Sequence, residues 1–321
     1  MSDCVTEPAT LPVTQNDADA AAILAGLRDH PKWLPSSLFY DARGAALFEL
    51  ISELPEYYLT RTDTLILREN ATALAALIGP HAALIEPGSG AATKVRPLLA
   101  ALHSPLAYVP VDVSREQLQL VAVARAAEYP GLHVLPVCVD YTHGITLPPL
   151  PARARRVVFF PGSTIGNLHP SDAIAFLRQM RVIAGDDGGM ILGVDRRKDA
   201  AILHAAYNDT AGVTAAFNLN ILAHLNEAFG GTFDLTAFRH RAFFNAEESR
   251  IEMHLESTRR QSAEVLGETI DFAAGESIRT EVSYKYDLDM LTTVTAESGW
   301  RVTVRFTDVD ERFWVVWLEP A

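Results

Sequence analysis

Between residues 82 and 195 the chain repeats one pattern. A short apolar run of strand length ends in a charged or turn residue, and most are followed by a stretch with helical spacing. The runs are Ala82–Ile85 before Glu86, Leu106–Val111 before Asp112, Leu132–Val139 before Asp140, Arg156–Phe160 before Pro161, and Met190–Val194 before Asp195. Uninterrupted apolar runs separated by helices predict parallel strands covered on both faces, the mark of an open α/β sheet. Near the end, a helix over 287–298 and two strands over 302–307 and 312–318 flank Asp308-Val309-Asp310.

The remaining segments follow a different rhythm. Residues 1–18 show no periodicity and read as a disordered tail. Helical spacing appears over 17–29 and 45–54, and Thr60-Arg61-Thr62-Asp63 resembles a capping box that opens a helix through about Leu77. From Ala200 to about Ile278 the chain departs from a simple sheet. It offers helices over 200–206 and 213–227, an alternating strand over 250–257 and a second strand over 265–272. The predicted organisation is therefore a tail (1–18), a lobe built from 19–60 and 200–280, and a sheet domain built from 61–199 and 281–321. Phe39, Tyr40, Tyr57 and Tyr58 fit either a lid over a site or the core of the lobe. The charges from Asp195 to Asp199 read as a solvated loop.

The first strand runs into Glu86, and Gly88 and Gly90 follow in the turn. Glycines there let backbone approach a ligand without a Cβ in the way. The position of a third glycine in a G-x-G-x-x-G fingerprint is held by Thr93, so the turn suits a nucleoside better than a pyrophosphate, and a nicotinamide oxidoreductase is disfavoured. Asp112, closing the second strand, can accept both ribose hydroxyls. Asp140 and Tyr141, after the third, offer a carboxylate for an exocyclic amine and a ring for a base. These strand ends converge on the carboxyl edge of the sheet, where open α/β folds bind ligands. The pattern describes an adenosyl site.

Composition narrows the classes. The chain has 321 residues and a net charge of −13, with a pI near 5.2, which argues against attraction to nucleic acid or anionic membrane. No apolar run is long enough to span a bilayer and no leader pattern opens the chain, so a cytoplasmic protein is expected. The two cysteines, Cys4 in the tail and Cys138 in a core strand, do not suggest a disulfide. Ten histidines lack metal-ligand spacing, so no metal is expected. A phosphate-binding P-loop is missing, and Gly162-Ser163-Thr164 lacks the second glycine of a nucleophile elbow.

Taken together, the motifs LFYDARGAALFELISELPEYYLTRT, IEPGSG, GSTIGNL, AYNDTAGVTAAFNLNIL, EESRIEMHL and FAAGESIRTEVSYKY resemble the histidine-specific Nα-methyltransferases of ergothioneine biosynthesis. The resemblance covers nearly all of the chain beyond the tail. It implies a Rossmann-like class I S-adenosylmethionine-dependent methyltransferase sheet, whose usual ending is the helix-strand-strand seen here, with an inserted α+β substrate lobe. Two positions depart from the family: Pro87 stands where leucine is usual, and Tyr141 where phenylalanine is usual.

The activity implied is three methyl transfers from S-adenosylmethionine to the α-amine of L-histidine, giving hercynine, and a monomer is expected. Glu86, Gly88, Gly90 and Lys94 would border the cofactor, with Gly88 and Lys94 at its methionine part, Asp112 at the ribose, and Asp140 with Tyr141 at the adenine. Asn167 and Tyr207 would hold the amino-acid head. Tyr57, Met253, Glu281 and Ser283 would line the imidazole pocket, with Tyr40 closing it. Glu281 and Ser283, two apart on an extended segment, share a face and could take the two imidazole nitrogens. The competing readings are a relative acting on another aromatic amino acid, a non-catalytic S-adenosylmethionine-binding regulator, and, for Glu281 alone, a surface pair with Lys285 or Arg279.

Overall fold

The computed structural model describes residues 15–321. The expected tail over 1–14, Cys4 included, lies outside the described residues, and residues 15–18 are helical rather than part of a tail. The chain runs through α1 (Gln15–Arg28), β1 (Lys32–Trp33), α2 (Ala42–Glu53), α3 (Tyr58–Glu69), α4 (Ala71–Ile78), β2 (Ala82–Pro87), α5 (Arg96–Ala101) and β3 (Ala107–Asp112). Then come α6 (Arg115–Glu128), β4 (His133–Val134), β5 (Val137–Cys138), β6 (Arg155–Phe160), α7 (Pro170–Ala184), β7 (Gly189–Asp195), α8 (Ala200–Tyr207) and α9 (Val213–Ala228). The last third holds β8 (Phe238–Asn245), β9 (Arg250–Ser257), β10 (Gln261–Val265), β11 (Glu268–Phe272), β12 (Ser277–Tyr284), α10 (Leu288–Glu297), β13 (Trp300–Thr307) and β14 (Phe313–Pro320). Two compact units result, one containing Thr62–Arg196 and Tyr286–Ala321, the other 15–61 and Arg197–Lys285.

The first unit is the α/β sheet. Its strand order is β13-β14-β7-β6-β2-β3-β4, with β5 also on β3. Strands β2, β3, β4, β6 and β7 are parallel, while β14 inserts antiparallel between β7 and β13. Every residue of β2 and of β7 is buried, which explains their unbroken apolar runs. The expected third strand is split into β4 and β5 by Leu135-Pro136, since proline has no N–H for the ladder.

The T-R-T-D capping box is also corrected. Thr60 lies inside α3, and its hydroxyl bonds Ser52 Oγ at 3.3 Å. The helix expected to continue through Leu77 breaks at Asn70, which separates α3 from α4. Asp195 is not part of a solvated loop. It is fully buried, and its backbone carbonyl accepts from Tyr286 N at 2.8 Å.

The second unit packs a four-stranded sheet, in the order β1-β12-β9-β8, and the β10-β11 hairpin with α1, α2, α8 and α9. Its core includes Phe39, Tyr57, Tyr58, Phe217, Met253 and Phe272. Of the four aromatics weighed as a lid, Phe39, Tyr57 and Tyr58 are therefore core side chains, and Tyr40 is 46% exposed. Three further differences concern strands. The run over 265–272 is two strands joined at Leu266-Gly267, β8 had not been expected, and β12 extends to Tyr284. The last of these places Glu281 and Ser283 in the second unit, past the expected boundary at 280.

Candidate functional site

In the sheet unit the glycine turn leaves β2 with Gly88 at φ +66° and Gly90 at φ +49°, the left-handed region that glycine enters without strain. Asp112, at the end of β3, pins this turn. One carboxylate oxygen accepts from Gly90 N at 2.9 Å and the other from Ser114 N at 3.0 Å. A carboxylate oxygen has a second lone pair, so each oxygen can still take a hydroxyl from a ligand. Open space stands where a Cβ on Gly90 would go, whereas one on Gly88 would lie 3.2 Å from the Tyr141 ring. That open cradle beside a two-oxygen acceptor fits a nucleoside with a cis-diol.

Other expected cofactor residues take more specific places. Glu86 is buried under the turn and accepts from the Tyr108 hydroxyl. Burial pushes its carboxyl up to about 8, against the opposing pull of that hydrogen bond and of Lys94. Asp140 accepts from Thr142 N at 2.8 Å and so shapes the start of its loop. The Tyr141 ring stands edge-on to Phe160 and Phe176, at 5.8 Å from each, and backs Gly88. Its hydroxyl is held well above the usual tyrosine range by burial, with Asp140 and Asp112 adding to the effect.

Lys94 pairs with Asp63 at 3.0 Å. Asp63 is fully buried and also accepts from Gly162 N at 2.9 Å, joining the loops after β2 and β6. Sequence reasoning treated Asp63 as a helix cap and missed this role. Farther along the loop after β6, Ser163 has φ +61°, and Asn167 is half-buried, its side-chain amide making no hydrogen bond to a described residue.

In the second unit, β9 and β12 bring the expected amino-acid residues together. Met253 is the direct cross-strand partner of Glu281, and side chains so paired share a face. Ser283 lies two residues on, and Tyr207, at the end of α8, donates to Ser283 Oγ at 3.0 Å. The Tyr57 ring stands edge-to-face on Tyr207 at 6.2 Å. Between Tyr40 and Tyr57 stands Phe48, whose ring lies 6.0 Å from Tyr40 and 6.2 Å from Tyr57.

The Glu281 carboxylate makes no hydrogen bond to any described residue. Burial pushes it up to about 7, with the Lys285 charge acting in the other direction. Lys285 is no surface partner. It is fully buried and donates to Tyr207 Oη at 3.1 Å and to Ser283 Oγ at 2.9 Å. Its two-residue spacing from Ser283 was visible in the sequence, but a lysine there reads as solvent-facing. Among the described residues no group of three or more histidine, cysteine or acidic side chains could hold a metal, and no helix is long and apolar enough to cross a membrane.

The family model described as histidine-specific methyltransferase, SAM-dependent, matches residues 19–320. This chain belongs to that family. Among such methyltransferases, it is 42% identical to the histidine N-alpha-methyltransferase of Mycolicibacterium smegmatis over 91% of this chain and 93% of that protein. Identity is also 42% to the enzyme of the same name from Mycobacterium tuberculosis, over 82% and 83% of the two chains. Ergothioneine biosynthesis protein 1 of Neurospora crassa is 35% identical over 68% of this chain, which spans 27% of that longer protein. The sheet unit is thus the S-adenosylmethionine-dependent methyltransferase fold of the family, and histidine is its small-molecule substrate class.

Proposed function

We propose that this chain methylates the α-amine of L-histidine three times to give hercynine, the first step of ergothioneine biosynthesis. The observation that carries the reading is the meeting of Glu281, Ser283, Met253, Tyr207 and Tyr57 around one face of β9 and β12. A carboxylate with no hydrogen bond among the described residues, beside a hydroxyl and walled by a thioether and rings, suits a small ring with two nitrogens. The lobe (19–60 and 200–280, extended to 285) takes the amino acid. The sheet domain (61–199 and 286–321) takes the cofactor.

When bound, S-adenosylmethionine supplies an electrophilic methyl group on a sulfonium. Asp112 holds the ribose through the lone pairs that Gly90 and Ser114 leave, Asp140 and Tyr141 border the adenine, and Gly88, Gly90 and Lys94 border the methionine part. Glu86 acts from beneath, by supporting the turn. Asn167 takes the amino-acid carboxylate through its unspent amide. Tyr207 is the second residue assigned to the amino-acid head, and its hydroxyl donates to Ser283. Such a transfer needs alignment and the exclusion of water more than a strong base, and no covalent nucleophile is assigned. The amine proton leaves to solvent between rounds. We assign the protein to the cytoplasm as a monomer that binds neither nucleic acid nor membrane, in keeping with its net charge of −13.

The test is to incubate the protein with S-adenosylmethionine and a panel of amino acids and to read product masses. Mono-, di- and trimethylated histidine in succession is the expected result. Turnover of an indole amino acid in preference to histidine, or binding of cofactor without turnover, would overturn the reading.

A further inference from the structure

Lys285 has no part in the site as assigned above, yet its ammonium is fully buried in contact with two of that site's hydroxyls. A hydroxyl oxygen offers two acceptor positions and one proton. Ser283 Oγ accepts from Lys285 Nζ at 2.9 Å and from the Tyr207 hydroxyl at 3.0 Å, so both acceptor positions are filled. With the Tyr207 proton on Ser283 and the Lys285 ammonium on both oxygens, the Ser283 proton is turned away from the pair. Toward a ligand, Ser283 can therefore only donate. Two residues away on the same face, Glu281 is an acceptor with no donor among the described residues.

We propose that Lys285 is a specificity-determining positioning residue, which fills the lone pairs of Tyr207 and Ser283 and so makes the pocket one donor beside one acceptor. The ligand chemistry that matches is a ring carrying one N–H and one bare nitrogen, the neutral imidazole. A pyrrole or indole ring offers an N–H but no bare nitrogen, and an imidazolium offers two N–H groups, one of which meets the Ser283 proton. Leaving a donor without its acceptor is how a polar site rejects a near-isostere. The proposal rests on the assignment of Glu281 and Ser283 to the imidazole.

Calorimetry with S-adenosylhomocysteine present tests it, using L-histidine and its pyrrole analogue, in which the bare nitrogen is a C–H. The wild-type protein should prefer histidine by about tenfold or more. In Lys285→Met the Tyr207 oxygen loses the ammonium and can take the Ser283 proton, so a ring presenting a C–H there no longer strands a donor, and the preference should fall to about threefold or less. Ser283→Ala should lose it as well, and the double variant should lose no more than either single one. A purely structural lysine would weaken both ligands alike and leave the ratio unchanged. If Ser283→Ala keeps the preference, the imidazole assignment itself fails. If Ser283→Ala loses it while Lys285→Met keeps it, the assignment stands and Lys285 is excluded. Should Lys285→Met not fold, Lys285→Gln replaces it, since an amide oxygen can take the Ser283 proton, and a wild-type ratio there overturns the proposal.

Discussion

Glu281 should cost the fold stability, and the cost should depend on pH. Its carboxyl sits at about 7 in the folded chain against an ordinary 4.5, because burial disfavours the charged form more than Lys285 favours it. A raised acid binds its proton more tightly when folded, so stability is lost as pH rises from 4.5 to 7 and the full penalty applies above 7. At about 1.4 kcal/mol per unit, the difference amounts to roughly 3 kcal/mol. Glu281 keeps a partly open side, and water there reduces the figure to between about 1 and 3 kcal/mol.

Glu281→Gln keeps the shape and removes the charge. Urea unfolding of both proteins should show the variant gaining on the parent by about 1–3 kcal/mol between about pH 5 and about pH 8. The same substitution removes a charged acceptor for the imidazole, so kcat/KM on histidine should fall roughly ten- to a hundredfold while cofactor affinity is unchanged. A stability difference that does not move with pH would refute the reasoning, because it would mean that Glu281 is ionised as easily in the fold as in water.

The remaining predictions concern other groups. Asp112→Ala should weaken S-adenosylhomocysteine binding about tenfold or more by calorimetry, since it removes a charged acceptor and also frees Gly90 N and Ser114 N; unchanged affinity in a folded variant would remove Asp112 from the site. Glu252, on the other face of β9, is pushed up by burial but pulled further down, to about 2, by His254, Asn245 and Arg250. It therefore stabilises the fold above 4.5 and loses this effect as pH falls toward 2, so Glu252→Gln should cost about 1–3 kcal/mol near pH 7, after screening by nearby water, and much less in acid, by unfolding at both pH values. Turnover should survive prolonged treatment with a chelator; activity abolished by chelation and restored by zinc or magnesium would contradict the reading of the histidines.

How much of the molecule was legible follows from what a sequence pattern can encode. Burial on both faces writes itself into unbroken apolar runs, so β2, β3, β6 and β7 fell within a residue or two of expectation. The acids and glycines that end these strands were legible because topology puts them on one edge. Local chemistry that overrides a run was harder to read: Pro136 splits the third strand, and Leu266-Gly267 turns what looked like one strand into a hairpin.

Polar residues whose partners are remote leave no local trace. Asp63 bonds a backbone amide 99 residues away, and Lys285 a hydroxyl 78 residues away. In sequence the first looks like a helix cap and the second like a solvated lysine, because those are the cheapest places for such side chains in the absence of a partner. Burying a charge is costly unless the fold supplies compensation. Both of these buried charges meet polar groups, Lys94 and Gly162 for Asp63 and Tyr207 and Ser283 for Lys285. At Asp63 and Lys285 the sequence misleads because the compensating groups are brought beside the charge only by the tertiary fold.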